Sequence, residues 1–523
     1  MSDQQRVEPR LGDAPLDAPP VLSRRRFENT REPQNGAAQA PGRGPRQPVN
    51  WRPLKWLLWL LLLVLLAGLI YQEMRSSVLQ ARVWHYLAQQ LTFSTEAGPA
   101  PQEAAPVYPQ GGPFDLRAGY SQLPTWLTTL NEQGFSITRQ SRFSPALQRY
   151  AELGFYPPYA EKNQWGLQVF DCRQQPLFSF QKPEFQFSQF EQVAPLLLRA
   201  LLYVENRDLF QPTAYANPAV DWSRLGAAVL AQTQKAVGRE AAAAGGSTLA
   251  TQIEKYRHSE QGFTADVLDK LQQMVSASVR AYQPARETME RRKQIALDYI
   301  NTVPLAATPQ AGEVHGMADG LHAWFGADPQ RVNRLLQDIN PNTAAHGTAL
   351  RQVMALIIAQ RRPSYYLLQG RDELEQLVDS HLRLLRQANI ISQAWLEQAS
   401  AVRLAFQTPA SVSRPQLDKT ALLVRNRVAA LLERTLYQTD RLDLTVQTTL
   451  DLPLQQQIKN YLQQLEQLSA AEKAGIIGPR LLREDQIRGV KYSFTLYEST
   501  PTGNKLRVQT DNHAEQPFDL NEG

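Results

Sequence analysis

The stretch "GGSTLATQIEK" (residues 245–255) sets two glycines before a Ser-Thr pair, the pattern of a turn that feeds a helix. It is not a P-loop. That motif needs G-x-x-x-x-G-K-[ST], whereas the lysine here follows Thr248 only after a further helical run. A helix begun at Ser247 places Ser247, Thr248, Thr251, Gln252, Lys255 and His258 within an arc of about 140°, with Leu249, Ala250 and Ile253 opposite. At 1.5 Å per residue, Lys255 lies about 12 Å along the axis from Ser247. The free N–H groups and partial positive charge of a helix start favour an anion. The reach to Lys255 suits an extended anion with more than one phosphate. The plainer reading of the same residues is a capped amphipathic helix.

Working upstream, "LLRALLYVENRDLF" (197–210) reads as an apolar helix whose pattern ends at Glu205. The Pro-rich stretch after it is a loop, and another helix opens near Asp221. A glutamate at the end of a buried helix is a candidate general base or acid, with a solvated helix end as the ordinary alternative. From 192 to about 405 the chain is strongly helical in pattern.

Further upstream, residues 1–53 are rich in Pro, Gln, Arg and Ala without apolar periodicity and are expected to be a disordered cytoplasmic tail. Residues 54–72 form a transmembrane segment, with helix continuing to about 92. Arg31, Arg43, Arg46, Arg52 and Lys55 against Glu32 place the N-terminus in the cytoplasm and the rest outside. The expected location is therefore the inner (cytoplasmic) membrane of a bacterium, single-pass. Residues 93–113 read as a Pro/Gly-rich linker and 114–190 as a small α+β module, with helices near 122–133 and 144–153 and a hairpin near 165–181. Residues 406–523 read as a linker, then a strand and helix near 442–465, then a hairpin.

Composition narrows the classes. The 523 residues, 43% hydrophobic, have room for two to four domains. A net charge of +5 on this length gives no sign of nucleic-acid binding, and the single Cys172 excludes an intrachain disulfide framework. The seven histidines show no metal-ligand spacing, so no protein-held metal is expected.

Taken in order, these segments resemble the peptidoglycan glycosyltransferases of glycosyltransferase family 51, the transglycosylase domains of bifunctional penicillin-binding proteins. The carrying residues are "ENRDLF…NPAVDW", "GGSTLATQIEK", "DKLQQMVSA" (269–277), "YINTVPLAA…GEVHGMADGLHAWFG" and "RRPSYYL". The resemblance implies a mainly α, lysozyme-like glycosyltransferase domain at 191–405, behind one N-terminal transmembrane helix, with a small α+β module before it and an α/β segment after it. It implies polymerisation of lipid II, or a related undecaprenyl-diphosphate-linked sugar, with release of undecaprenyl diphosphate. On the matching positions Glu205 is the general base. Ser247, Thr248, Gln252, Lys255 and Lys270 bind the diphosphate, with Arg257 an added cation beside them. A divalent cation, Mg or Mn, accompanying the diphosphate is the one cofactor implied; the membrane and other cell-wall synthesis proteins are the implied partners.

The departures mark a divergent member. Asn206 stands where the family has an acid, Asn217-Pro218-Ala219 where it has H-x-G, and Gln273 at its second glutamate. Glu313 and Asp298 are the carboxylates considered as spatial substitutes. Residues 445–465 resemble the entry to a transpeptidase domain, yet no S-x-x-K or K-T-G follows, and Ser179 to Lys182 lies in the predicted hairpin. Enzymatic turnover and a scaffold that binds lipid-linked precursors or cell-wall partners without turnover are thus the competing expectations. Glycan cleavage is a minor third.

Overall fold

The computed structural model describes residues 52–227, 247–309, 311–407, 419–501 and 503–512. Gly245 and Gly246, and the expected cytoplasmic tail up to residue 51, lie outside the described residues. The chain divides into two compact units, Met1–Val64 and Leu65–Gly523.

Helix α1 (Arg52–Ser76) carries an apolar span from Lys55 to Ser76 that is long enough to cross a membrane, and no residue of its most apolar stretch is buried against protein. The helix does not run on unbroken to residue 92. Ser77 adopts φ 53°, in the left-handed region, and the chain restarts as α2 (Val78–Gln90). Glu73 stabilises the break, because its carboxylate accepts from the main-chain N–H of Leu79 (3.0 Å) and of Gln80 (2.8 Å).

The stretch expected as a linker has structure of its own. Strand β1 (Phe93–Ala97) pairs antiparallel with β2 (Arg139–Phe143). Helix α3 (Pro113–Ala118) follows Gly112, where a Cβ would come within 2.6 Å of the His258 carbonyl. Only glycine permits that approach of the chain to the helical core. Helices α4 (Leu123–Glu132) and α5 (Pro145–Glu152) fall near the expected positions, as does the hairpin of β3 (Leu167–Phe170) and β4 (Pro176–Ser179).

The main core gathers α6 (Pro195–Glu205), α7 (Leu249–His258), α8 (Val267–Tyr282), α9 (Met289–Thr302), α10 (Met317–Phe325), α11 (Ala344–Ala359), α12 (Arg371–Gln387) and α13 (Gln393–Ser400). At its centre, α11 is buried on every side, as an all-round apolar helix must be. Its one buried cation, Arg351, pairs with Glu375 and Asp379 of α12. Between α9 and α10 a hairpin forms from β5 (Pro304–Thr308) and β6 (Gly312–His315).

The C-terminal segment is not a separate appendage. After α14 (Lys419–Leu431) and α15 (Leu436–Asp440), strand β7 (Leu444–Gln447) pairs parallel with β3, giving the sheet order β4-β3-β7. The segments before and after the helical domain therefore share one sheet and one apolar cluster, which includes Leu167, Val169, Val424 and Val428. Parallel partners need a long crossover, and here the crossover is the entire helical domain. The chain closes with α16 (Leu452–Gln464) and the antiparallel hairpin of β8 (Ser493–Thr500) and β9 (Gly503–Asp511).

Candidate active site

Helix α6 starts with Pro195 in its first turn and buries Leu196, Leu197, Ala200 and Leu201. It stops at Asn206, whose φ of −155° is extended. This delivers Glu205 to the last turn, 8% exposed. Gln252 Nε2 donates to its Oε2 (3.1 Å) and Arg361 Nη2 to its Oε1 (3.2 Å). Arg224 Nη1 donates to the Glu205 main-chain carbonyl (2.9 Å), one of the acceptors that a helix end leaves open. The Gln252 amide is itself fixed: the hydroxyl of Tyr299, fully buried on α9, donates to its Oε1 (3.1 Å). Tyr299, Gln252 and Glu205 thus form a chain that aims the carboxylate.

Helix α7 begins at Leu249, not at Ser247 as the pattern suggests. Thr248 is the N-cap in a reciprocal capping box with Thr251, and both are buried. Thr248, expected among the ligand groups, has its hydroxyl committed to the helix start (3.3 Å from Thr251 N). The first N–H of the helix, at Leu249, is accepted by Asn206 Oδ1 (3.1 Å). Within α7 only Gln252 and Lys255 escape full burial. They lie three residues apart and so on one face. Thr251 and His258, expected on that face, are buried instead, because the core wraps α7 more widely than its polar pattern implies.

Lys270, on α8, donates from Nζ to Ser247 Oγ (2.8 Å). Burial pushes its pKa down to about 8, helped by the charge of Lys255. Burial also lowers the pKa of Lys255, partly offset by Glu205. Ser247, Gln252, Lys255 and Lys270 therefore stand together beside Glu205 with two cations that lack a carboxylate ion-pair partner among the described residues. Neither proposed substitute supplies one. Glu313 is held by Arg117, Arg441 and His315, and Asp298 accepts from Asn163 (2.8 Å) and Gln294 (2.6 Å). Gln273, fully buried, donates to Ser259 Oγ and Thr264 Oγ1, both at 2.9 Å, a neutral hydroxyl network.

Arg257 lies on the far side of α7 from Lys255, since two residues turn the helix by about 200°. It is buried and donates to Glu161 (3.0 Å) and Asn163 (2.9 Å), so it seats the helix and does not join the lysine pair. Glu161 also takes His258 (2.7 Å) and Arg280 (3.5 Å), while Arg280 Nε reaches Glu254 at 2.8 Å. Burial opposes ionisation of Glu161, yet Arg280, His258 and Arg257 outweigh it and hold its carboxyl well below the ordinary range. This network bolts the back of α7 to the segment that precedes the helical domain.

Three groups of the site escape sequence reasoning. Tyr299 sits within "YINT", quoted above as a motif with no role given to its tyrosine. Arg361 belongs to "RRPSYYL", likewise quoted above with no role given to its arginines. Arg224 has no distinguishing signal at all. Beside Lys270, an apolar ridge of Phe263, Val267, Leu268 and Leu271 lies open to solvent, each side chain more than half exposed.

Residues 173–389 match the family model described as Transglycosylase, so this span of the chain belongs to the transglycosylase family. The match starts in the β3–β4 turn and ends just beyond α12. No curated protein matches the chain.

Proposed function

We propose that this transglycosylase-family chain polymerises a lipid-diphosphate-linked sugar, lipid II or a close relative, at the outer face of a membrane that α1 spans. The observation that carries the reading is one carboxylate, Glu205, aimed by Gln252 and Tyr299 and adjoining a pair of lysines that, among the described residues, have no carboxylate ion-pair partner. The Glu205 carboxylate removes the proton of an acceptor sugar hydroxyl. That oxygen bonds to C1 of the donor sugar, the bond from C1 to the diphosphate oxygen breaks, and the diphosphate leaves with the electron pair. Ser247, Lys255 and Lys270 receive the growing negative charge from preset positions, the kind of stabilisation that contributes most to such steps. The ridge at Phe263, Val267, Leu268 and Leu271 gives the lipid chain, or the membrane around it, an apolar bed beside the diphosphate.

The described residues contain no group of three histidine, cysteine or carboxylate side chains able to hold a metal ion. A Mg or Mn ion accompanying the diphosphate would add positive charge to the leaving group beside Lys255 and Lys270.

A second reading, a binder of lipid-linked precursor without turnover, has one observation in its favour: Gln273 and its hydroxyl partners bring no charge to the site. The two are separated by incubating purified chain with lipid II. The enzyme yields glycan polymer that disappears in Glu205→Gln while lipid II still binds. Tight binding with no polymer from either the native chain or Gln273→Glu leaves only the binder.

A further inference from the structure

A cavity of about 140 Å³ lies between α3, the loop around Tyr159 to Trp165, and Asp443 just before β7. A hole of this order takes one six-membered ring. Its wall is aromatic, with Phe114, Tyr120, Tyr159 and Trp165, and it shares no lining residue with the cleft around Glu205.

The charges in that wall are already matched inside the protein. Arg117 pairs with Glu313 at 2.8 Å and Lys162 with Asp443 at 2.9 Å, while Glu161 is shared by Arg257, His258 and Arg280. An ionic ligand would bring a charge with nothing left to meet it, and desolvating an unmatched charge is unfavourable. The uncharged polar groups are in the opposite condition. The hydroxyls of Tyr120 and Tyr159 and the indole N–H of Trp165 have no hydrogen-bond partner among the described residues and are not sealed from solvent, so they are open to a ligand.

We propose that this cavity binds a neutral sugar ring, one residue of a glycan, at a site distinct from the Glu205 cleft. The aromatic wall offers apolar surface to the C–H groups of the sugar, and the three open polar tips meet its hydroxyl or acetamido groups. The site is also wired to the cleft. Glu161, in the cavity wall, bonds Arg257 and His258 on the back of α7, whose front carries Gln252 and Lys255. A bound sugar therefore presses on the seat of the helix that holds the diphosphate side of the reaction.

The test uses the full chain in detergent, titrated with N-acetylglucosamine and with chitotetraose and followed by Trp fluorescence and calorimetry. Saturable binding is expected. Tyr120→Phe and Tyr159→Phe, which remove one oxygen each and leave the rings packed, should each weaken it about threefold to tenfold, the range for one neutral hydrogen bond. Glu205→Gln should leave it unchanged, which separates this cavity from the cleft. The proposal is overturned by any of three results: no saturable binding; binding lost in Glu205→Gln but kept in the double Tyr→Phe variant; or tighter binding of a uronic acid than of N-acetylglucosamine. Polymer formation from lipid II is read in parallel, so that failure of the sugar site and failure of the proposed reaction give different patterns.

Discussion

Asn206 reaches from the end of α6 to accept the first N–H of α7 at Leu249, 3.1 Å away. The residue after the candidate base therefore fixes the start of the helix that carries Gln252 and Lys255. Replacing it with alanine strands a buried donor, which costs about 1–2 kcal/mol. Asn206→Ala should lower the denaturant midpoint, whereas Asn206→Asp keeps an acceptor in place and should leave it nearly unaltered. Equal loss in both variants would remove the cap from the account.

Gln252 and Arg361 hold different oxygens of Glu205, but their surroundings differ. The Arg361 side chain is 55% exposed, and an ion pair of that kind contributes about 0–1 kcal/mol. It also occupies an oxygen that the acceptor hydroxyl must approach. Arg361→Gln should change the polymerisation rate by no more than about fivefold. Gln252→Ala removes the oriented amide and leaves the Tyr299 hydroxyl without its acceptor, so a loss of about tenfold or more is expected. A rate assay on lipid II that ranks the two in the reverse order would refute this division of labour.

Lys270 provides the pH signature. Its free pKa of about 8 is lowered from the ordinary lysine value by burial and by Lys255, and a bound diphosphate would raise it again. Affinity for a diphosphate-bearing analogue should be level below pH 8 and fall as pH rises through that value. The folded, ligand-free chain should show the opposite trend. Its folded pKa is depressed, so the unfolded state binds more protons between pH 8 and the ordinary lysine value, and stability rises with pH across that window. Lys270→Arg, charged throughout, should flatten the affinity profile; calorimetric titrations at several pH values check both trends.

Gln273 sits fully buried among the hydroxyls of Ser259 and Thr264. Gln273→Glu places a carboxyl where, among the described residues, no cation bonds it. At neutral pH the variant should be less stable by about 1–3 kcal/mol. Burial raises the folded-state pKa of such a carboxyl, so the deficit should shrink as pH falls toward the acid range. A thermal-melt series that shows no deficit at pH 7 would mean that Lys270 reaches position 273 after all.

The helical domain, the place of its candidate base Glu205 and the cleft face of α7 were legible because they rest on local pattern: apolar spacing, a terminal glutamate, a glycine turn, and motifs in order. Glu205, Ser247, Gln252, Lys255 and Lys270 come together as the spacing of their motifs suggests. The misplacement of Thr248, Thr251, Arg257 and His258 has a common cause. A helical wheel distinguishes polar from apolar, but these four polar groups are buried by pairing with one another or with Glu161, a residue nearly a hundred positions earlier. Ser77 broke the long helix without any glycine or proline to announce it. The pairing of β3 with β7 was beyond reach for a related reason, since nothing local marks two strands so far apart as partners.

That pairing has a consequence for how the molecule is made. Leu167 meets Leu444, so the sheet cannot close until the whole transglycosylase span has emerged between them. Contacts of such long sequence separation form late and slowly. The helical domain is thus an insertion within another fold, and its host stays open-edged until the last quarter of the chain arrives. Cutting the chain at either border of the family match would not release a tidy domain. A cut at the far border would leave β3 without β7 along one edge, and a cut at the near border would strip β4 of β3, each an open edge ready to recruit a foreign strand.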